Sequence, residues 1–159
     1  MLTIVSTDLN NPTHQRALIE LLSQYALDEM GGGEALPDSC LENLITALQT
    51  RRDYYSWLAF KQEKAVGLLN SFESFSTFYA KPLLNIHDLT VVPDYRNQGI
   101  AKSLMQQATD FAKQKGYCKL TLEVLAENKL AKTLYHKLGY VPYKLSDSAG
   151  AAEFWQKPL

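Results

Sequence analysis

The stretch from Val91 to Lys102, reading Val-Val-Pro-Asp-Tyr-Arg-Asn-Gln-Gly-Ile-Ala-Lys, narrows what this chain can fold into more than any other. It ends a β-branched apolar run, turns through Pro93 and Asp94, and enters a helix with Gly99 at its threshold and the small Ala101 just inside. The first N–H groups of a helix have no intrahelical partner. The macrodipole adds roughly half a positive charge at that end, so a strand, turn and helix of this composition form an anion site suited to phosphate.

Two widespread phosphate-binding spacings fail here. A dinucleotide fingerprint needs Gly-x-Gly-x-x-Gly, and only Gly99 is present. A P-loop needs glycine directly before Lys102-Ser103 and again five residues earlier, where Ala101 and Arg96 stand.

The flanks read as an α/β chain with a mixed sheet. Leu2 to Val5 suggests a short strand, and Asn11-Pro12 opens a helix with Leu18, Leu21, Leu22 and Tyr25 on one face. Gly31-Gly32-Gly33 breaks that pattern, either as a plain connector or as a loop lying over a substrate. Ser39 and Glu42 have the spacing of a capping box for a second helix, with Leu41, Leu44, Ile45 and Leu48 as its stripe. Tyr54 to Phe60 and Lys64 to Ser71 predict a hairpin, and Ser71 to Phe78 can extend it. Leu83 to Val92 is the next strand. Simple alternation puts Asn85, His87, Leu89 and Val91 on one face and Leu84, Ile86, Asp88, Thr90 and Val92 on the other. Ile100 to Ala112 predicts a helix ended by Gly116, Cys118 to Leu125 a strand, and Asn128 caps a helix that Gly139 ends. Val141 to Lys144 and Glu153 to Lys157 are expected closing strands. With no repeat or linker, residues 1 to 159 are expected to form a single domain.

A net charge of -1 supplies no global field for nucleic acid. No apolar run approaches a membrane span, and the N-terminus lacks a basic segment followed by an apolar one, so a cytoplasmic protein with no membrane partner is expected. Cys40 and Cys118 stand apart in apolar patterns, which predicts buried thiols and no metal.

Arg96-Asn97-Gln98-Gly99-Ile100-Ala101 resembles the signature of the GNAT acetyltransferase superfamily: Arg or Gln, two residues, Gly, one residue, then Gly or Ala. Leu89-Thr90-Val91-Val92-Pro93-Asp94-Tyr95 precedes it at the family spacing, and Ala131 to Tyr140, with Tyr135 and Gly139, follows Asn128. The resemblance implies a twisted mixed sheet of about six or seven strands with about four helices, splayed at its centre. It also implies transfer of an acetyl group from acetyl-CoA to a primary amine. The alternative is a non-catalytic acyl-CoA-binding sensor or regulatory module. Coenzyme would be held by the backbone of Leu89, Thr90 and Val91, by Arg96, Asn97, Gln98, Gly99, Ile100, Ala101 and Lys102, and by Asn128. Tyr135 matches the general-acid tyrosine, and a backbone N–H near Leu89 would polarise the thioester carbonyl.

For the base, His87 is the first choice, acting directly or through water, although a satisfied core histidine is an equal reading. Asp88 reads as a structural carboxylate, and Glu73 and Glu123 are remote candidates. Tyr54, Tyr55, Phe72, Phe75, Phe78 and Tyr79 line an acceptor pocket or belong to the core. A small-molecule amine and a protein lysine both remain open as acceptor. Oligomeric state is open too, with a homodimer paired through the C-terminal strand as one arrangement.

Overall fold

The computed structural model describes residues 1–159 and forms two compact units, Met1–Leu122 and Glu123–Leu159. In the first, β1 (Leu2–Ser6), β2 (Tyr54–Lys61), β3 (Lys64–Ser76), β4 (Lys81–Val91) and β5 (Leu120–Leu122) make a five-stranded sheet in that order. All pairings are antiparallel except β4 with β5, which is parallel and needs a crossover helix between them. That crossover is α3 (Ile100–Gln114), while α1 (Pro12–Leu27) and α2 (Asp38–Gln49) precede β2.

The two faces of the sheet are covered by different helices. On one, Ala17, Leu18 and Leu21 of α1 and Leu48 of α2 form a buried cluster with Leu58 of β2 and Leu68 of β3. On the other, Phe111 of α3 packs on Tyr55 and Trp57, at centroid distances of 4.5 and 5.4 Å, and Ile100, Leu104 and Ala108 of the same helix are buried. Each fully buried leucine contributes about 1.5–3 kcal/mol relative to an exposed one.

Local signals explain most helix starts. Asn11 Oδ1 accepts from Thr13 N–H at 2.9 Å and Pro12 is the first helical residue, as its sequence predicts. The capping box expected at Ser39 does not form. The helix begins at Asp38 after Pro37, no side chain caps it, and Ser39 is already helical, so it lacks the extended backbone of a cap.

The second unit holds α4 (Lys129–Lys137), whose Asn128 cap accepts from Ala131 N–H at 3.1 Å. The closing strands expected at Val141–Lys144 and Glu153–Lys157 are absent, and the sheet therefore falls short of six or seven strands. One bridge, Lys144 to Ala151, is all that forms there. Pro142 has no N–H to donate to a ladder. Cys40 and Cys118 are half-buried, not buried as their apolar neighbours suggested. No helix is long and apolar enough to cross a membrane.

Candidate active site

The feature that shapes the site is an irregularity in β4. Pairing with β3 runs Leu69 to Leu89 and Asn70 to Asp88, then jumps to Ser71 with Ile86, which leaves His87 as an extra residue. A bulge of one residue reverses the facing of everything beyond it. Strict alternation puts His87 and Asp88 on opposite faces; with the bulge, both line one cavity.

The cavity encloses about 300 Å³ on the α1 and α2 side of the sheet. Asn70, Phe72, His87 and Asp88 supply its strand wall, with Tyr54 beside them. Leu22 and Ala26 of α1 and Leu44 and Leu48 of α2 supply the opposite wall. A polar chain crosses the strand wall: Tyr54 O–H donates to Asn70 Oδ1 at 2.7 Å, and Asn70 Nδ2 donates to Asp88 Oδ2 at 2.9 Å. Burial raises the Tyr54 hydroxyl well above its ordinary pKa. Burial also raises that of Tyr25, reinforced by the charges of Asp88 and Asp28. Both phenols therefore stay protonated at neutral pH. His87 is exposed and meets Phe72 edge-on at 5.5 Å, so it is not a core histidine.

The glycine loop belongs to this cavity. Gly31 lines it, and a Cβ on Gly31 would stand 1.8 Å from the Tyr25 carbonyl oxygen, an overlap no side chain tolerates. Asp28 organises the loop: its carbonyl accepts from Gly31 N–H at 2.8 Å and Gly33 N–H at 3.0 Å, and its carboxylate accepts from Met30 N–H at 2.9 Å.

Beyond the bulge, the outer edge of β4 is unpaired with β5, although Val91 C=O accepts from the Arg96 side chain. Val92 N–H bonds Val66 C=O at 3.0 Å around the Gly67–Val91 pair, so Val91, and Leu89 two residues earlier, point their backbone groups away from β3. On that side β5 pairs only as far as Ile86 with Leu122, which also makes β5 shorter than the Cys118–Leu125 span its sequence predicts. The splay implied by the resemblance is thus present at Leu89 and Val91. Thr90 is buried opposite Leu68.

A 3₁₀ turn (Pro93–Tyr95) leads to α3. Asn97 and Gly99 are left-handed, with φ of 59° and 79°. Gly99 is the cap of α3 and brings no side-chain bond, and the first intrahelical bond is Ser103 N–H to Gly99 C=O at 3.0 Å. The N–H groups of Ile100, Ala101 and Lys102 lie ahead of it, in a first turn with no acidic residue. The Gln98 amide accepts from Lys61 Nζ at 2.7 Å. Arg96 faces the other way: Nε donates to Val91 C=O at 3.0 Å, and the guanidinium pairs with Asp28 at 2.8 Å.

Other predicted residues lie elsewhere. Glu73 accepts from the Tyr117 hydroxyl. Tyr55 packs on Phe111, and Phe75, Phe78 and Tyr79 are exposed, so of the six aromatic candidates only Tyr54 and Phe72 reach the cavity. In the second unit Tyr135 is half-buried in α4, 5.9 Å from the ring of Tyr140. The Tyr140 hydroxyl, pushed up to about 12 chiefly by burial, has no hydrogen-bond partner. Asp88 is a hydrogen-bonded carboxylate as its sequence suggests, but on the face of His87 and not the opposite one, and its partner Asn70 was not singled out. The bulge that recruits Asp88 has no residue signature, but Asn70, a lone amide ending the apolar run Val66 to Leu69, was a visible signal.

A strand edge unpaired with β5 thus runs into a helix with uncapped amides, beside a small cavity that is apolar on its helix side and polar on its strand side. The profile of the acetyltransferase (GNAT) family matches residues 16–140, and the chain belongs to that family, whose donor is acetyl-CoA. It is an acetyl-CoA-dependent N-acetyltransferase. The chain is 29% identical over 129 residues to the uncharacterized N-acetyltransferase YhfO of Bacillus subtilis, covering 78% of this chain and 81% of the relative. It is 28% identical over 135 residues to the thialysine N-epsilon-acetyltransferase of Caenorhabditis elegans, covering 82% and 79%. Among solved structures, a probable acetyltransferase superposes with a TM-score of 0.80 at 23% identity, covering 99% of this chain and 97% of that one, which establishes the shared fold.

Proposed function

We propose that acetyl-CoA lies along the Leu89–Val91 edge with its pyrophosphate on the amides of Ile100, Ala101 and Lys102, and that the His87–Asp88 cavity takes a small-molecule amine. The bulge at His87 carries this reading, because it turns His87 and Asp88 into the cavity immediately before the open edge begins. The uncapped start of α3 suits the donor's pyrophosphate: amides and dipole face the anion, and the left-handed Gly99 brings no side chain between them. Asn128 is a further coenzyme contact in this reading.

Acetyl-CoA supplies an activated thioester. The acceptor arrives as an ammonium and must lose a proton, which His87 accepts directly or through water. The amine nitrogen then forms a bond to the carbonyl carbon, a backbone N–H at Leu89 stabilises the developing oxyanion, and the C–S bond breaks. Tyr135 donates its hydroxyl proton to the departing thiolate, and the second proton, shed by the nitrogen as the amide forms, returns the tyrosinate to the phenol.

Relatives named for thialysine and for aminoglycosides differ in acceptor, so kinship does not select one. The test is thiol release from acetyl-CoA across an amine panel, with product mass confirming acetylation. Turnover that depends on His87 is expected; an unchanged rate in His87→Ala would remove that residue from the proton path.

A further inference from the structure

We infer that the acceptor is a compact monoamine with an apolar or aromatic body and no carboxylate of its own, bound by its ammonium to Asp88. This rests on the reading of the cavity as the acceptor site. It goes further by matching charge, polarity and size to one chemical class.

Charge comes first. Asp88 is the only carboxylate lining the cavity, and no lysine or arginine lines it. An acceptor with several ammonium groups would leave all but one without a counter-charge in a partly desolvated space. An amino acid would bring its carboxylate in beside Asp88 with only His87 as a counter-charge, and His87 must be neutral to take the ammonium proton. Unpaired charges in such a site cost more than the about 1–3 kcal/mol of an unsatisfied neutral group.

Asp88 is also held in place. The Tyr54–Asn70–Asp88 chain fixes the amide, because Asn70 must accept through Oδ1 and donate through Nδ2. Tyr54 keeps its proton and so remains a donor. The carboxylate is thereby oriented from within the strand wall, a short distance along β4 from Leu89, where the acetyl group is expected.

Polarity and volume define the remainder of the molecule. The helix wall is Leu22, Ala26, Leu44 and Leu48, its one hydroxyl being that of Tyr25, which donates to Met30 C=O at 3.4 Å, and Phe72 flanks His87. About 300 Å³ is the lower end of ligand-pocket sizes and suits one ring with a short aminoalkyl arm, not a polyhydroxylated trisaccharide.

The test compares kcat/KM from thiol release for 2-phenylethylamine and hexylamine with that for spermidine, kanamycin, free lysine and a lysine-containing peptide. Both monoamines should exceed each of the others by at least about tenfold, the ratio that 1.4 kcal/mol of unpaired charge produces. Asp88→Asn should raise KM for 2-phenylethylamine about tenfold or more without changing acetyl-CoA affinity measured by calorimetry. Leu44→Glu, which puts a second carboxylate on the helix wall, should move preference from hexylamine toward 1,6-diaminohexane. Preference for spermidine, kanamycin, lysine or the peptide overturns the inference while leaving the cavity as acceptor site. Turnover of monoamines that ignores both substitutions overturns the cavity reading itself, and the inference with it.

Discussion

Gly99 shows how one residue carries two constraints. Its φ of 79° is a region L-residues enter at about 1–2 kcal/mol, yet a Cβ there would meet open space within this chain. The glycine is therefore demanded by backbone conformation and by whatever approaches the amides, not by packing. Gly99→Val should lower acetyl-CoA affinity measured by calorimetry and reduce Tm modestly; normal affinity in a folded variant would remove the loop from coenzyme binding. Tyr135 belongs to the same scale. Tyr135→Phe should slow turnover by about 10²-fold or more with acetyl-CoA affinity unchanged, and a full rate across the pH range would exclude it as the acid. The local setting of both residues was legible in the sequence because each sits in a motif, a turn or a capped helix, that short-range geometry determines. Asp88 was not, because its facing depends on a pairing irregularity with a strand that lies earlier in the chain.

At the level of elements, the Arg96–Asp28 pair joins the turn before α3 to the glycine loop after α1. The Arg96 hydrogen bond, helped by Met30 N–H, holds the Asp28 carboxyl below its ordinary range. A depressed folded-state pKa stabilises the fold above the unfolded value of about 3.9 and is lost as pH falls through the folded one. Asp28→Asn should therefore lower Tm at neutral pH, with the gap to wild type closing below about pH 4 in a series of melts. A gap that persists in acid would mean the ion pair is not its source. Because Gly31 lines the cavity, Asp28→Asn should also raise the acceptor KM, measured by thiol release. The triple glycine announced a break in the helix, but which turn it docks on was set by a contact 68 residues away.

Across the whole molecule, the sheet core in the first unit resists unfolding through a few fully buried leucines. Leu68 contributes to the cluster shared by α1, α2 and β2, and Leu68→Ala should cost about 2–5 kcal/mol in urea unfolding, whereas Phe78→Ser, at a residue 90% exposed, should change stability by less than about 0.5 kcal/mol. By itself the sequence determined the geometry of the proposed donor side: a β-branched strand, a turn and a helix opening on glycine with uncapped amides arise from bonds among near neighbours, and the flanking motifs resemble the acetyltransferase family to which the chain belongs. Only tertiary structure decided the cavity proposed for the acceptor. The bulge at His87, the turn of Asp88 into the cavity and the apolar wall brought by α1 and α2 arise from strand register and helix packing between distant segments. Alternation along one strand, read alone, points Asp88 the other way.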